Sequence, residues 1–425
     1  MSNWGSSATD DVSQAVPLNG NGNGAASGET TAPAPPAKSI NTAALVAAMV
    51  SMKGTSDLIF SPGRPPQIEL NGSLRGVKIE GLPVLLPDHT AKIAQDLIGI
   101  NKLAAQNLRD DGSCDLSYSL PQHSRFRVNI FRQRGSYAIV MRVIPNKIPT
   151  FDELNLPDEL KKLAALKNGI VLVTGPTGSG KSSTLAAIID LVNTTRADHI
   201  VTIEDPIEFL HAHKLGTVHQ REVHSDTGSF ASALRAALRQ APKVILVGEM
   251  RDKETIEIAM TAAETGHLVF STLHTIDASK TVERIIGVFP LADQQAIRTR
   301  LATSFRYFVS QRLLPRRDGQ GRVAMIEILK STMRTREYVE RGEGEGKTLL
   351  DAMRDGDQEG MQYFDGELEK FLRAGIISFE DAMHYATNAG NLRLQLSDFD
   401  EADVVPAGPE VLRQPKLEES LNIER

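Results

Sequence analysis

The chain has 425 residues, 41% hydrophobic and 24% charged, an ordinary globular composition spread over too much length for a single core. A formal net charge of −6 excludes general attraction to polyanions, and one cysteine, Cys114, excludes an intrachain disulfide or a multi-cysteine zinc site and suits a reducing compartment. The longest apolar run, AALVAAMV at 43–50, is far short of the roughly 20 residues that span a bilayer, and MSNWGSSATDD lacks signal-peptide features, so a cytoplasmic protein is expected.

Residues 1–38 are rich in Gly, Ala, Asn and Pro and read as a disordered tail, a passive linker rather than a docking segment. A change of character at Ser39 opens a candidate domain, 39–145. A helix in NTAALVAAMVSM leads to the short strands SDLIF, PQIELNGSL, CDLSYSL, RFRVNIFRQ and SYAIVMRVI, with turn residues between them. This is a small α+β pattern. LPDHTAKIAQDLI adds a helix, with Asp88 as its expected cap.

The next segment, 146–330, changes near Gly169 to strand, glycine-rich turn, helix, strand. GIVLVTG reads as a buried strand, and KSSTLAAIIDLVN as a helix with Leu185, Ile188, Ile189 and Val192 on one face. HIVTIED, KVILVGE and HLVFSTLH are apolar enough to be covered on both sides. With intervening helices such as SFASALRAALRQ, they imply an α/β core with a mostly parallel sheet. After Ile328 the chain turns helical and charged, giving a helical region, 331–395. There Met361, Phe364, Leu368, Phe371 and Leu372 form an apolar stripe ending near Gly375, and Ser378 with Asp381 reads as a capping box. Residues 396–425 read as a second loose tail.

Three motifs carry chemistry. GPTGSGKS fits G-x-x-x-x-G-K-[ST] after a strand and before a helix. The loop Gly175, Pro176, Thr177, Gly178, Ser179 and Gly180 and the helix start with Ser183 would cradle phosphates, the glycines letting the backbone N–H groups of the non-proline residues curl round the anion and the new helix presenting its N-terminal end. Lys181 would reach the terminal phosphates of ATP, and the Ser182 hydroxyl would ligate Mg2+. TIEDPIEFLH places Glu204, Asp205 and Glu208 at a strand's end, where open parallel sheets bind ligands. In TGHLVFSTLHT, His267 and His274 are an odd number apart, so one of them is expected to flank the strand in a loop.

In order and spacing these segments, with QREVH, ALRAALRQAPKVILVGEMRD and RIIGVFP, resemble the secretion-type ATPases of type IV pilus and type II secretion machines, within them the PilT-like retraction ATPases. The resemblance covers about 40–395. It implies a RecA-like P-loop core, a PAS-like N-terminal domain and a homo-hexamer that hydrolyses ATP to drive pilus disassembly and twitching motility. It also implies an inner-membrane platform partner of the PilC kind, with PilU- or PilB-like ATPases as further partners, at the cytoplasmic face of the inner membrane. Glu249, after Gly248, matches the family's Walker B carboxylate. Glu204 and Glu249 would divide metal positioning and water activation. We assign water to Glu204 and magnesium to Glu249, although the reverse division fits the same residues. In the family the small domain of one subunit covers its neighbour's nucleotide. Matching positions make Arg127 and Arg142 arginine fingers, with Arg132 and Arg134 behind them, and His267 and His274 the His box, with His274 favoured for coupling.

Departures are Ser183 where threonine is common, QAPK before the Walker B strand, and TMRTREYVERGE in place of the usual C-terminal signature. One rival reading is a PilU-like accessory subunit with little hydrolysis of its own. A second is an extension or secretion ATPase of the PilB or GspE kind, whose four-cysteine zinc subdomain one cysteine cannot supply. A third, a nucleic-acid translocase, would need a basic channel with stacking aromatics. Aromatics are only 5% here, so no nucleic acid is expected.

Overall fold

The computed structural model describes residues 40–399 apart from 53, 71, 72, 122 and 146. The expected tail at 1–38 and most of the one at 396–425 lie outside the described residues. Within the second tail, Leu396 is buried and Phe399 packs beside it, so the ordered fold runs past the expected boundary.

The N-terminal part contains α1 (Thr42–Val50), β1 (Thr55–Phe60), β2 (Gln67–Leu70), β3 (Ser73–Gly76), α2 (Pro87–Ile98), α3 (Lys102–Asp110), β4 (Ser113–Leu120), β5 (Ser124–Gln133) and β6 (Ser136–Ile144). Its antiparallel sheet has the order β3-β2-β1-β6-β5-β4. Alternation decides what each face does. Phe126, Val128 and Ile130 of β5 turn into the core with Val46, Met49, Ile93 and Leu97 of the helices. Arg125, Arg127 and Asn129 therefore stand on the opposite face. Asp88 does not cap α2. Leu86 occupies the cap position, and Asp88 lies inside the first turn, where its charge favours the exposed N–H groups.

A second sheet follows, built from β7 (Gly169–Thr174), β8 (His199–Glu204), β9 (Thr217–Glu222), β10 (Val244–Val247), β11 (Leu268–Leu273), β12 (Phe305–Pro315) and β13 (Arg322–Lys330). Its order is β13-β12-β7-β11-β10-β8-β9, parallel except for the β12–β13 pair. Ile170 and Leu172 of β7 face a core with α5 (Phe230–Ala237), α6 (Lys253–Glu264), α7 (Ala278–Gly287) and α8 (Gln294–Ser304). Val171 and Val173 face α4 (Lys181–Thr195) on the other side. Covering both faces explains why these strands read as continuous apolar runs. The strands β9, β12 and β13 and the helix α3 were not among the elements expected from sequence.

The C-terminal part, α9 (Met333–Arg341), α10 (Leu349–Asp355), α11 (Phe364–Arg373), α12 (Phe379–Tyr385) and α13 (Ala389–Gln395), packs Phe364, Leu368 and Leu372 on Leu314, Val323 and Met325 of the hairpin. Gly375 follows α11 with φ +69°, a left-handed helix stop. Ser378 caps α12 by accepting the Asp381 N–H, and the Arg312 guanidinium lies 4.0 Å from the Phe364 ring centroid. Among the described residues no helix is long and apolar enough to cross a membrane.

One buried carboxyl joins these parts. Glu327 on β13 accepts hydrogen bonds from the Ala278 N–H at 2.8 Å and the Ser310 hydroxyl at 3.0 Å. Ser310 in turn accepts from Thr174, the last residue before the phosphate-type loop. Burial pushes the Glu327 carboxyl up to about 7, helped by nearby Asp277 and opposed by these hydrogen bonds and by Arg312. The unfolded chain gives up this proton near the ordinary 4.5, the folded chain only near 7, so stability falls as pH rises through that window. Glu327→Gln keeps an acceptor oxygen without the charge. Its denaturant-derived stability is expected to gain on wild type between pH 5 and pH 8, by at most about 3 kcal/mol; parallel pH profiles would refute this.

Candidate active site

Four neighbouring parallel strands end on one edge in the order β7, β11, β10, β8. The segments leaving them are Gly175–Ser182, His274, Gly248–Glu249 and Glu204–Pro206, in that order along the edge. They line one cleft of about 1090 Å3, and Arg127 of the N-terminal sheet forms part of its opposite wall.

The loop after β7 is shaped by crowding. Gly175 has φ +143°, and a Cβ there would lie 2.3 Å from the Gln311 carbonyl oxygen and 2.6 Å from Ser179 Oγ. Gly180 caps α4 in the left-handed region and faces the Gln311 amide. Gln311 is itself fixed by the Thr184 hydroxyl, which donates to its Oε1 at 2.8 Å. Nothing in the motif points to Gln311, which comes from β12. The Lys181 ammonium donates to the Gly175 and Pro176 carbonyls at 2.9 and 3.0 Å, and burial lowers its proton affinity against the pull of Glu249 and Glu208. Ser179 Oγ is buried without a partner. Free N–H groups at a helix start, a buried lysine and an orphan hydroxyl suit a polyanion of phosphates.

The two carboxylates have opposite environments. Glu204 accepts from the Thr202 hydroxyl at 2.6 Å and the Gln220 amide at 3.1 Å, yet burial outweighs these bonds and raises its proton affinity. Burial would raise Glu249 too, but Arg251 at 2.6 Å, aided by His274 Nε2 at 3.5 Å, holds it below the usual carboxylate range. Glu204 thus holds a proton more readily than an ordinary carboxyl and Glu249 less readily. Gly248 between the strand and Glu249 has a steric reason, since a Cβ there would meet the Ile203 carbonyl at 3.2 Å and Glu204 Cα at 3.4 Å. The residues fit Mg2+ as nucleotide counterion: Ser182 and ionised Glu249 both line the cleft with Glu204.

The basic and histidine residues divide. Arg127 lines the cleft of its own chain. Arg142, its cross-strand partner, is not on the cleft wall and pairs instead with Asp57 on β1 at 3.0 Å. Arg132 and Arg134 sit at the far end of β5 and in its turn. His267 precedes β11, at the opposite edge of the sheet from the loop, and its Nδ1 contacts the Ala262 carbonyl at 2.9 Å. His274 follows the same strand and faces Glu249. Both histidines flank β11 rather than one, and only His274 reaches this cleft.

A family model described as type II/IV secretion system protein matches residues 96–349. The type IV pilus retraction ATPase PilT of Pseudomonas aeruginosa is 43% identical over 80% of this chain and 96% of its own length. The chain belongs to the secretion ATPase family. Its members include the type IV pilus ATPase PilU of Pseudomonas aeruginosa, 40% identical over 83% of this chain and 90% of its own length. A crystal structure of the pilus retraction motor PilT with bound ADP superposes with a TM-score of 0.75 at 41% identity, over 84% of this chain and all of the other. This secretion ATPase is therefore a nucleotide-binding enzyme with the fold of PilT.

The crowding at Gly175 can be tested in this family member. Gly175→Ala is expected to weaken binding of a fluorescent ADP analogue at least about 10-fold, because a shift of the loop misplaces every phosphate contact. Gly178→Ala, where a Cβ meets nothing within 4 Å, should cost only the left-handed strain of about 1 kcal/mol. Equal affinities for the two variants would contradict the crowding argument.

Proposed function

We propose that this chain is the ATP-hydrolysing motor of pilus retraction, working as a homo-hexamer against an inner-membrane platform protein at the cytoplasmic face. The observation that carries the site reading is the convergence of Lys181, Ser182, Glu204, Glu249, His274 and Arg127 on one cleft. Backbone N–H groups and Lys181 hold the phosphates of ATP. Magnesium, held by Ser182 and Glu249, would supply positive charge to the phosphate oxygens. Glu204 takes a proton from water as the water oxygen bonds to the γ-phosphorus and the bond to the β–γ bridging oxygen breaks, leaving ADP and phosphate. Its raised proton affinity suits that acceptor role better than the fixed charge of Glu249 does.

The Arg127 guanidinium binds the oxygens that gain charge in this step, a task for which a planar, two-pronged cation is better suited than lysine. Because Arg127 belongs to the N-terminal sheet and Lys181 to the ATPase core, hydrolysis and product release are coupled to opening and closing of the two. That relative motion is the mechanical output. His274, against Glu249, is placed to relay the state of the nucleotide.

Steady-state turnover and nucleotide binding separate these roles. Lys181→Ala should abolish ATP turnover, Glu204→Gln should bind ATP and retain it unhydrolysed, and Arg127→Ala should lose about 100-fold or more in kcat with nucleotide affinity little changed. Wild-type kcat in the Arg127 variant would remove its assignment. The cellular role is tested by deleting the gene and counting surface pili. Accumulated pili support retraction, bald cells indicate extension, and retraction restored by Lys181→Ala points to an accessory subunit.

A further inference from the structure

Glu222, the last residue of β9, takes no part in the chemistry above, yet it is only 3% exposed. Its carboxylate lies where the N-terminal sheet meets the ATPase core. From the N-terminal sheet, Arg125 Nη2 donates to Oε2 at 3.0 Å and the Ser117 hydroxyl donates to Oε1 at 2.5 Å. From the core, the Ile207 N–H donates to Oε2 at 3.1 Å and the Ser225 hydroxyl to Oε1 at 3.2 Å. Four donors from two domains converge on one buried anion.

The register shows what this junction holds. Ser117 on β4 lies directly across from Arg127 on β5, and Arg125 is two residues from Arg127 on the same face. The two side chains that grip Glu222 are therefore the immediate neighbours of Arg127. On the other side, Glu222 is the cross-strand partner of Glu204, and Ile207 ends the turn that Glu204 begins. Asp205, Pro206, Glu222 and Arg127 also line a smaller cavity of about 350 Å3 at this junction.

We propose that Glu222 is a positioning residue that latches the Arg127 strand to the Glu204 turn, setting the arginine against the nucleotide when the domains close. This rests on the role given to Arg127 above. A neutral residue would leave the half-buried Arg125 without its counter-charge, and the strand would be free to settle elsewhere. A displacement of about 1 Å at a charge-stabilising group is enough to lower turnover by up to about 100-fold.

The test is a double-mutant cycle on full-length protein, reading kcat and KM for ATP, with thermal melting as a control. Glu222→Ala should lower kcat at least about 10-fold and leave KM within about twofold, because the phosphate loop is untouched. Glu222→Gln, which keeps two of the acceptor interactions without the charge, should fall between wild type and Glu222→Ala and serves for the cycle if the alanine variant melts early. The decisive result is coupling: adding Glu222→Gln to Arg127→Ala should cause no further loss. Loss of the full single-variant factor in the Arg127→Ala background, or wild-type kcat in both Glu222 variants, overturns the latch. Wild-type kcat in Arg127→Ala itself overturns the reading beneath it as well, so the two failures are distinguishable.

Discussion

A parallel sheet brings the carboxyl ends of its strands to one edge, and the rest of this protein's function depends on that constraint. With β7, β11, β10 and β8 side by side, four loops of unrelated sequence must share one cleft. No pairing of side chains is needed to bring Lys181, Glu249, His274 and Glu204 together, because backbone hydrogen bonding fixes their order. The hairpin β12–β13 extends the sheet on the other side of β7, and through Gln311, Ser310 and Glu327 it braces the phosphate-type loop from behind.

Within the cleft, environment separates groups that are chemically alike. Glu204 and Glu249 lie at the ends of neighbouring strands β8 and β10. One is enclosed with a hydroxyl and an amide, and the other faces an arginine and a histidine. Burial raises the proton affinity of the first, and Arg251 lowers that of the second, so their difference in proton affinity follows from what surrounds each carboxyl. The N-terminal sheet adds the remaining charge. Its alternation sends Phe126 and Val128 inward and Arg125 and Arg127 outward, toward the core.

Much of this was legible in the sequence, for identifiable reasons. Strands covered on both sides appear as unbroken apolar runs, and a glycine-rich turn before a helix has few other uses, so β7, β8, β10, β11 and the loop at Gly175 were readable. The strand β9 was not, since polar content at an edge hides its pairing; its sequence, TVHQRE, has only one buried apolar residue, Val218. Gln311 and Glu327 carry no local signal, as their partners lie far away in sequence. His267 was grouped with the favoured His274 because spacing alone does not tell which end of a strand meets the ligand. Arg142 looked equivalent to Arg127 for a similar reason: both are outward-facing strand arginines, and only Asp57 on the next strand sets them apart.

The central claim is that one subunit supplies both the phosphate loop and the arginine that completes its site. Mixing two inactive variants, Lys181→Ala and Arg127→Ala, and measuring ATP turnover of the mixed assemblies tests it most directly. If both groups serve the same subunit's nucleotide, no mixture restores turnover, whatever the ratio. Recovery of a substantial fraction of wild-type turnover would mean that the arginine acts on a neighbour's nucleotide, and the account would be wrong.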